Sequence, residues 1–163
     1  MIKGYVRMAR PADVPILAKD LRDADVAEIK ASTGRAPEAV LYASLGLSGG
    51  DTRVICMADG APVAIYGVVP LPAPYKGAGG IWMVATNQFK LLSRQFLREC
   101  RGEISDLCRG YKAVFNYTDA RNTLHHRWIK WAGFTIIKRH ERYGCEGREF
   151  LEFVRITEAP NHV

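Results

Sequence analysis

The sequence predicts a single mixed α/β domain, and three observations predict it. β-rich runs and helical apolar periods follow one another in the order β-α-α-β-β-β-α-β-α-β-β. Asp59-Gly60 stands between two strand-like runs, a strong hairpin signal. A chain of 163 residues, 48% hydrophobic and 25% charged, has the size and composition for one core, placed over residues 1–157 with a flexible tail at 158–163. The expected sheet is mixed and mostly antiparallel, flanked by about four helices.

The elements follow in order. Residues 5–8 read as a strand. Ala9-Arg10-Pro11-Ala12-Asp13 then opens a helix that Asp13 or a neighbour caps, and Val14, Leu17, Leu21, Val26 and Ile29 carry its apolar period to about residue 32. After a break at residues 33–37, Pro37 starts a second helix that Gly46 stops. Residues 53–58 and 63–69 form the hairpin. Residues 71–80, rich in Pro and Gly, form a loop, and 81–85 a short strand. Thr86 or Asn87 caps a long helix reaching residue 109, with Phe89, Leu92, Phe96, Cys100, Leu107 and Tyr111 as its core stripe. A strand at 113–118, a helix at 123–132 and a closing hairpin of 134–142 with 149–156 complete the chain.

Composition narrows the function classes. No apolar run approaches the roughly 18 residues of a membrane span. Met1 to Arg7 lacks a secretory apolar core, so the expected location is a reducing cytoplasm, of a cell or of an infected host, with no membrane partner. Cys56, Cys100, Cys108 and Cys145 form no C-x-x-C pair, which speaks against a zinc or redox centre. The charge of +6 suits polyanionic partners: CoA phosphates, nucleic acid or an acidic protein surface.

The segment Asn116-Tyr117-Thr118-Asp119-Ala120-Arg121-Asn122, followed by a short helix that ends at Gly133-Phe134, resembles the cofactor-closing segment of the GNAT (GCN5-related N-acetyltransferase) superfamily, with the spacing N-x10-G-F. The resemblance implies that the strands at 81–85 and 113–118 are a parallel pair that splays apart to admit pantetheine. It places the backbone N–H groups of Met83, Val84 and Ala85 at the thioester carbonyl and Asn122 at the cofactor cleft, while Asn116 and Asp119 end the splayed strand, where a polar Asn needs a partner, either a structural bond or a ligand such as the cofactor. The family's phosphate loop, Q/R-x-x-G-x-G/A, is replaced by Ala85-Thr86-Asn87-Gln88-Phe89-Lys90-Leu91, which has no glycine. Phosphate would then bind through Lys90 and Arg94 and the helix N-terminus. Where many members carry a Tyr acid, seven residues after the Asn, this chain has Ile129, which has no proton to give.

Two residues offer the missing chemistry. His125 lies one turn before Ile129 on a flank expected to face the cleft; it acts as an acid or simply packs at the cleft edge. Leu124, Trp128 and Trp131 are the expected core stripe of that helix. Glu28, on the acceptor side implied by the family fold, is a base for an amine or a surface charge. Tyr66 and Tyr117 are strand aromatics that supply a phenol or pack. No metal is expected, since His125 and His126 point about 100° apart.

Gly80 to Val84, Phe96 to Glu99 and His126 to Phe134 further resemble a phage and prophage family that includes the small internal virion protein of short-tailed coliphages. The implied protein is a phage- or prophage-encoded N-acyltransferase, moving an acetyl group from acetyl-CoA to an amine through a degenerate phosphate site. A non-catalytic module bound to a virion or host protein is the second reading. The third is nucleic-acid binding through Lys90, Arg94, Arg98 and Arg101 on the long helix.

Overall fold

The computed structural model describes residues 3–157, so the tail expected at 158–163 lies outside the described residues. Its elements are β1 (Gly4–Met8), α1 (Asp13–Ala18), α2 (Asp23–Thr33), α3 (Pro37–Leu47), β2 (Arg53–Met57), β3 (Pro62–Pro70), β4 (Ala78–Ala85), a 3-10 helix (Asn87–Leu91), α4 (Ser93–Leu107), β5 (Ala113–Asp119), α5 (Thr123–Trp131), β6 (Thr135–Tyr143) and β7 (Arg148–Ile156). The strands form one seven-stranded sheet in the order β1-β2-β3-β4-β5-β7-β6. Every neighbouring pair is antiparallel except β4 and β5. This is the mixed, mostly antiparallel sheet expected.

Side-chain alternation divides the apolar residues between the two faces. Val54, Cys56 and Ile65 face a core made with Val14 and Leu17 of α1, Ile29 of α2 and Leu41 of α3. Ile55, Ala64, Tyr66 and Val68 face the other core, which holds Phe96, Cys100 and Ile104 of α4 and Ile129 of α5. No helix among the described residues is long and apolar enough to cross a membrane.

Four helical expectations are corrected. The single helix expected from Asp13 to residue 32 is two, because Leu21 leaves the helix to form an antiparallel bridge with Thr86 and the Arg22 N–H donates to the Ala85 carbonyl. Asp13 is not an N-cap; its carboxylate accepts from the Arg7 guanidinium and from the Arg10 N–H. Helix α3 runs through Gly46 and ends at Ser48, before Gly49 and Gly50, whose φ angles of 66° and 101° no ordinary helical residue adopts. The long helix after β4 is broken at Leu92, with one 3-10 stretch ahead of α4.

The turn between β6 and β7 fixes one wall of the site. Its Cys145 and Glu146 N–H groups donate to the Ser32 and Ala31 carbonyls at the end of α2. Gly144 makes this approach with φ at 68°, and an added Cβ would lie 2.5 Å from the Ala31 oxygen and 2.6 Å from Ser32 Cα. Gly144→Ala is therefore expected to cost about 2–3 kcal/mol in urea unfolding. A cost near zero would mean that the turn does not hold α2.

Candidate active site at the β4–β5 splay

Strands β4 and β5 pair at only three positions, Ala78 with Ala113, Gly79 with Val114 and Gly80 with Phe115. Beyond them the strands separate. At the fork the Asn116 side-chain amide donates to the Ile81 carbonyl, and its oxygen accepts from the Tyr117 N–H at 2.8 Å. One side chain thus replaces the next rung of the ladder.

The edge of β4 that β5 abandons is only partly open. Thr86 N–H donates back to Val63 on β3. By antiparallel alternation Trp82 and Val84 also face β3, so Ile81, Met83 and Ala85 face the gap. The Ile81 carbonyl is taken by Asn116. The Ala85 N–H donates to Asp25 at 3.0 Å, and its carbonyl accepts from Arg22. Met83 lies between them, its N–H and carbonyl directed into the gap. Of the three backbone N–H groups from Met83 to Ala85, that of Met83 is directed into the gap, while that of Val84 faces β3 and that of Ala85 is taken by Asp25.

Two cavities meet at this place. The smaller, of about 290 Å³, lies between α2, α3 and the inner ends of β4 and β5. The larger, of about 680 Å³, lies between Ala85, the 3-10 helix, the start of α4 and α5. Met83, Val84, His125 and Trp128 line both.

Among the described residues Glu28 is the only acid lining the smaller cavity, and its side chain is 16% exposed. Its Oε1 accepts from the Thr118 hydroxyl at 2.8 Å and from the Asp119 N–H. Burial pushes the carboxyl up to about 7, against the opposing pull of these two donors. Its Oε2 is 4.0 Å from His125 Nδ1. The His125 ring is 12% exposed, and burial draws it down to about 4. It is neutral at pH 7, in keeping with the Asn122 amide 3.4 Å from Nδ1.

The other expected site residues are distributed unevenly. Met83, Val84 and Asn116 line the smaller cavity; Ala85 and Lys90 line the larger. Arg94 and Asn122 line neither; Asn122 is buried behind His125 at the start of α5. Helix α5 is rotated from the expected orientation. Ile129 is fully buried in the core, while Leu124 and Trp131 are 61% and 48% exposed and border the larger cavity with Trp128. Arg101 joins α4 to α5 here, donating to the Trp131 carbonyl at 2.9 Å with its guanidinium 4.6 Å from the indole centre. The Tyr66 hydroxyl is turned to Glu103, 3.1 Å away.

Sequence reasoning missed Asp25, Trp128 and Tyr143. Asp25 stands one turn before Glu28 on α2, a spacing that signals a shared face. Tyr143 comes from a distant strand, and no local signal marks it. Asp25, Glu28 and His125 present ligand atoms within 4.8 Å of one another. However, the Asp25 oxygens are engaged by Arg22 and Ala85, and one Glu28 oxygen by Thr118 and Asp119, so two donor atoms remain for a cation.

No protein-family model matches the sequence, and no curated protein matches it. Solved structures do match over nearly the whole chain. Ard1 from Thermoplasma volcanium is 17% identical with a TM-score of 0.72, covering 96% of this chain and 99% of its own. The ribosomal-protein-S18-alanine N-acetyltransferase of Escherichia coli is 13% identical with a TM-score of 0.66, covering 99% of each chain. The aminoglycoside acetyltransferase AAC(6')-Ib, solved in complex with coenzyme A, is 16% identical with a TM-score of 0.65, covering 94% of this chain and 95% of its own. The chain has the GNAT fold.

Proposed function

We propose that this protein is an N-acyltransferase that moves the acetyl group of acetyl-CoA to an amine, with Glu28 as the base. The observation that carries the reading is the Glu28 carboxylate in the wall of the smaller cavity, its Oε2 4.0 Å from Nδ1 of His125, which lines both cavities with Met83; burial pushes the carboxyl up to about 7. A base with that affinity for protons is half ionised near neutrality, where it both accepts and passes on a proton efficiently. The likeness to N-acetyltransferase structures supports the reaction class as an analogy of fold.

The residues fit acetyl-CoA unevenly. The unpaired Met83 edge suits the amide-bearing pantetheine arm, and Arg22, Lys90 and Arg127 bring cationic side chains to the larger cavity. The phosphates would be held by side chains, since the five-residue 3-10 helix after β4 contains no glycine. When bound, the thioester supplies the acyl group. Glu28 takes the proton of the amine, and the Met83 N–H faces the acyl oxygen. His125, neutral at pH 7, offers the departing sulfur a hydrogen bond rather than a ready proton. The resemblance of Gly80 to Phe134 to phage proteins supports a phage or prophage origin.

Calorimetry with acetyl-CoA tests the reading. Micromolar to sub-millimolar binding is expected, together with at least a tenfold loss of turnover in His125→Ala. The absence of binding up to millimolar acetyl-CoA would exclude the enzyme.

A further inference from the structure

We infer that the smaller cavity selects a compact monoamine with an aromatic or apolar body, rather than a polyamine, an aminoglycoside or a protein N-terminus. The inference rests on the acyl-transfer reading for the choice of an amine as occupant, and on the cavity wall for everything else.

The wall is chemically lopsided. Among the described residues Glu28 is the only acid in its lining, and neither lysine nor arginine lines it. The same lining holds an aromatic stack. The Tyr117 and Tyr143 rings lie 4.6 Å apart at 24°, and Tyr143 lies 4.7 Å from Phe150. Trp82 adds its ring from β4, with the indole N–H committed to the Ser48 hydroxyl at 2.9 Å. On the α2 side the Ser32 and Thr33 hydroxyls spend their protons on carbonyls of their own helix.

This arrangement gives one ammonium group one carboxylate and gives the rest of the ligand flat apolar surface. A second or third ammonium sunk into the same space would find no carboxylate, and burying an unpaired charge is costly. A cation over a tyrosine face recovers only part of that cost. A peptide would have to bury several backbone amides where the Asn116 amide and the Ser32 and Thr33 hydroxyls are already committed, with tyrosine hydroxyls as the polar groups of the aromatic stack. The volume, about 290 Å³, is at the small end of ligand pockets and suits a molecule of about ten heavy atoms.

The test is equilibrium binding of 2-phenylethylamine, spermidine and an alanine-initiated pentapeptide, by calorimetry at pH 8 with and without saturating CoA. 2-Phenylethylamine is expected to bind at least tenfold more tightly than either competitor. Glu28→Gln should weaken it at least tenfold. Tyr143→Ala should weaken it about fivefold and Tyr143→Phe should not, since the ring and not the hydroxyl makes the contact; an unchanged Tm in Tyr143→Phe guards against a folding defect. Equal or tighter binding of spermidine or the peptide, or no binding of 2-phenylethylamine in either condition, overturns the inference. The two readings fail separately. Selective amine binding without acetyl-CoA binding removes the enzyme and leaves the cavity assignment. Turnover of spermidine in preference to 2-phenylethylamine does the reverse.

Discussion

Glu28→Gln is expected to reduce turnover by about 10²-fold or more, the usual contribution of a positioned base, while leaving acetyl-CoA affinity within about twofold. The amide retains an oxygen for Thr118 and the Asp119 N–H, so the site keeps its shape. The same change should stabilise the fold in a pH-dependent way. The folded carboxyl titrates near 7 against 4.5 for the free group. A group whose folded pKa is raised contributes stability that is complete below the unfolded value and is lost as pH climbs through the folded value. The native chain should therefore lose on the order of 3 kcal/mol between pH 4.5 and pH 8 through this one residue. Glu28→Gln should escape that loss, being ~1–3 kcal/mol more stable than the parent at pH 8 and no more stable at pH 4.5. Urea melts at the two pH values check this; equal differences at both would mean that Glu28 is solvated and not a tuned base.

Asp25→Ala should be the most destabilising single change at the site, at about 3 kcal/mol. Asp25 is 1% exposed and ties three things together: two hydrogen bonds from Arg22, one from the Ala85 N–H, and through them the junction of α2 with the end of β4. Its removal leaves a buried N–H and a half-buried guanidinium without their acceptor. Asp25→Asn keeps an oxygen for Ala85 and should cost less. A loss below about 1 kcal/mol for the alanine variant would show that water replaces the carboxylate at no penalty, and that the β4 edge is not held from this side.

Much of this architecture was legible in the chain. Asp59-Gly60 places the first hairpin, and the segment from Asn116 to Phe134 places β5, α5 and β6, because turn chemistry and short-range periodicity act locally. The residues misread are those whose surroundings come from elsewhere. Leu21 keeps helical spacing yet is buried as a bridge partner of Thr86, a contact that no window around Leu21 contains. In α5, a helix bearing Leu124, Trp128, Ile129 and Trp131 has apolar residues on two faces, and spacing cannot say which face meets the sheet. Small β-branched Ile129 fits the closed core, whereas the two tryptophans and Leu124 border the open cleft. Glu28 was legible as a candidate, but its tuning by burial was not, since the strand end that covers it lies 90 residues away.

The shared wall between the two cavities also bears on the order of events. Met83, Val84, His125 and Trp128 are the residues common to both, and His125, the side chain among them with a nucleophilic atom, has Nδ1 3.4 Å from the Asn122 amide. The proposed direct attack of the amine on the thioester requires donor and acceptor to occupy the protein together. Initial-rate plots at varied concentrations of both substrates should intersect rather than run parallel, and no burst of free CoA should precede the addition of amine.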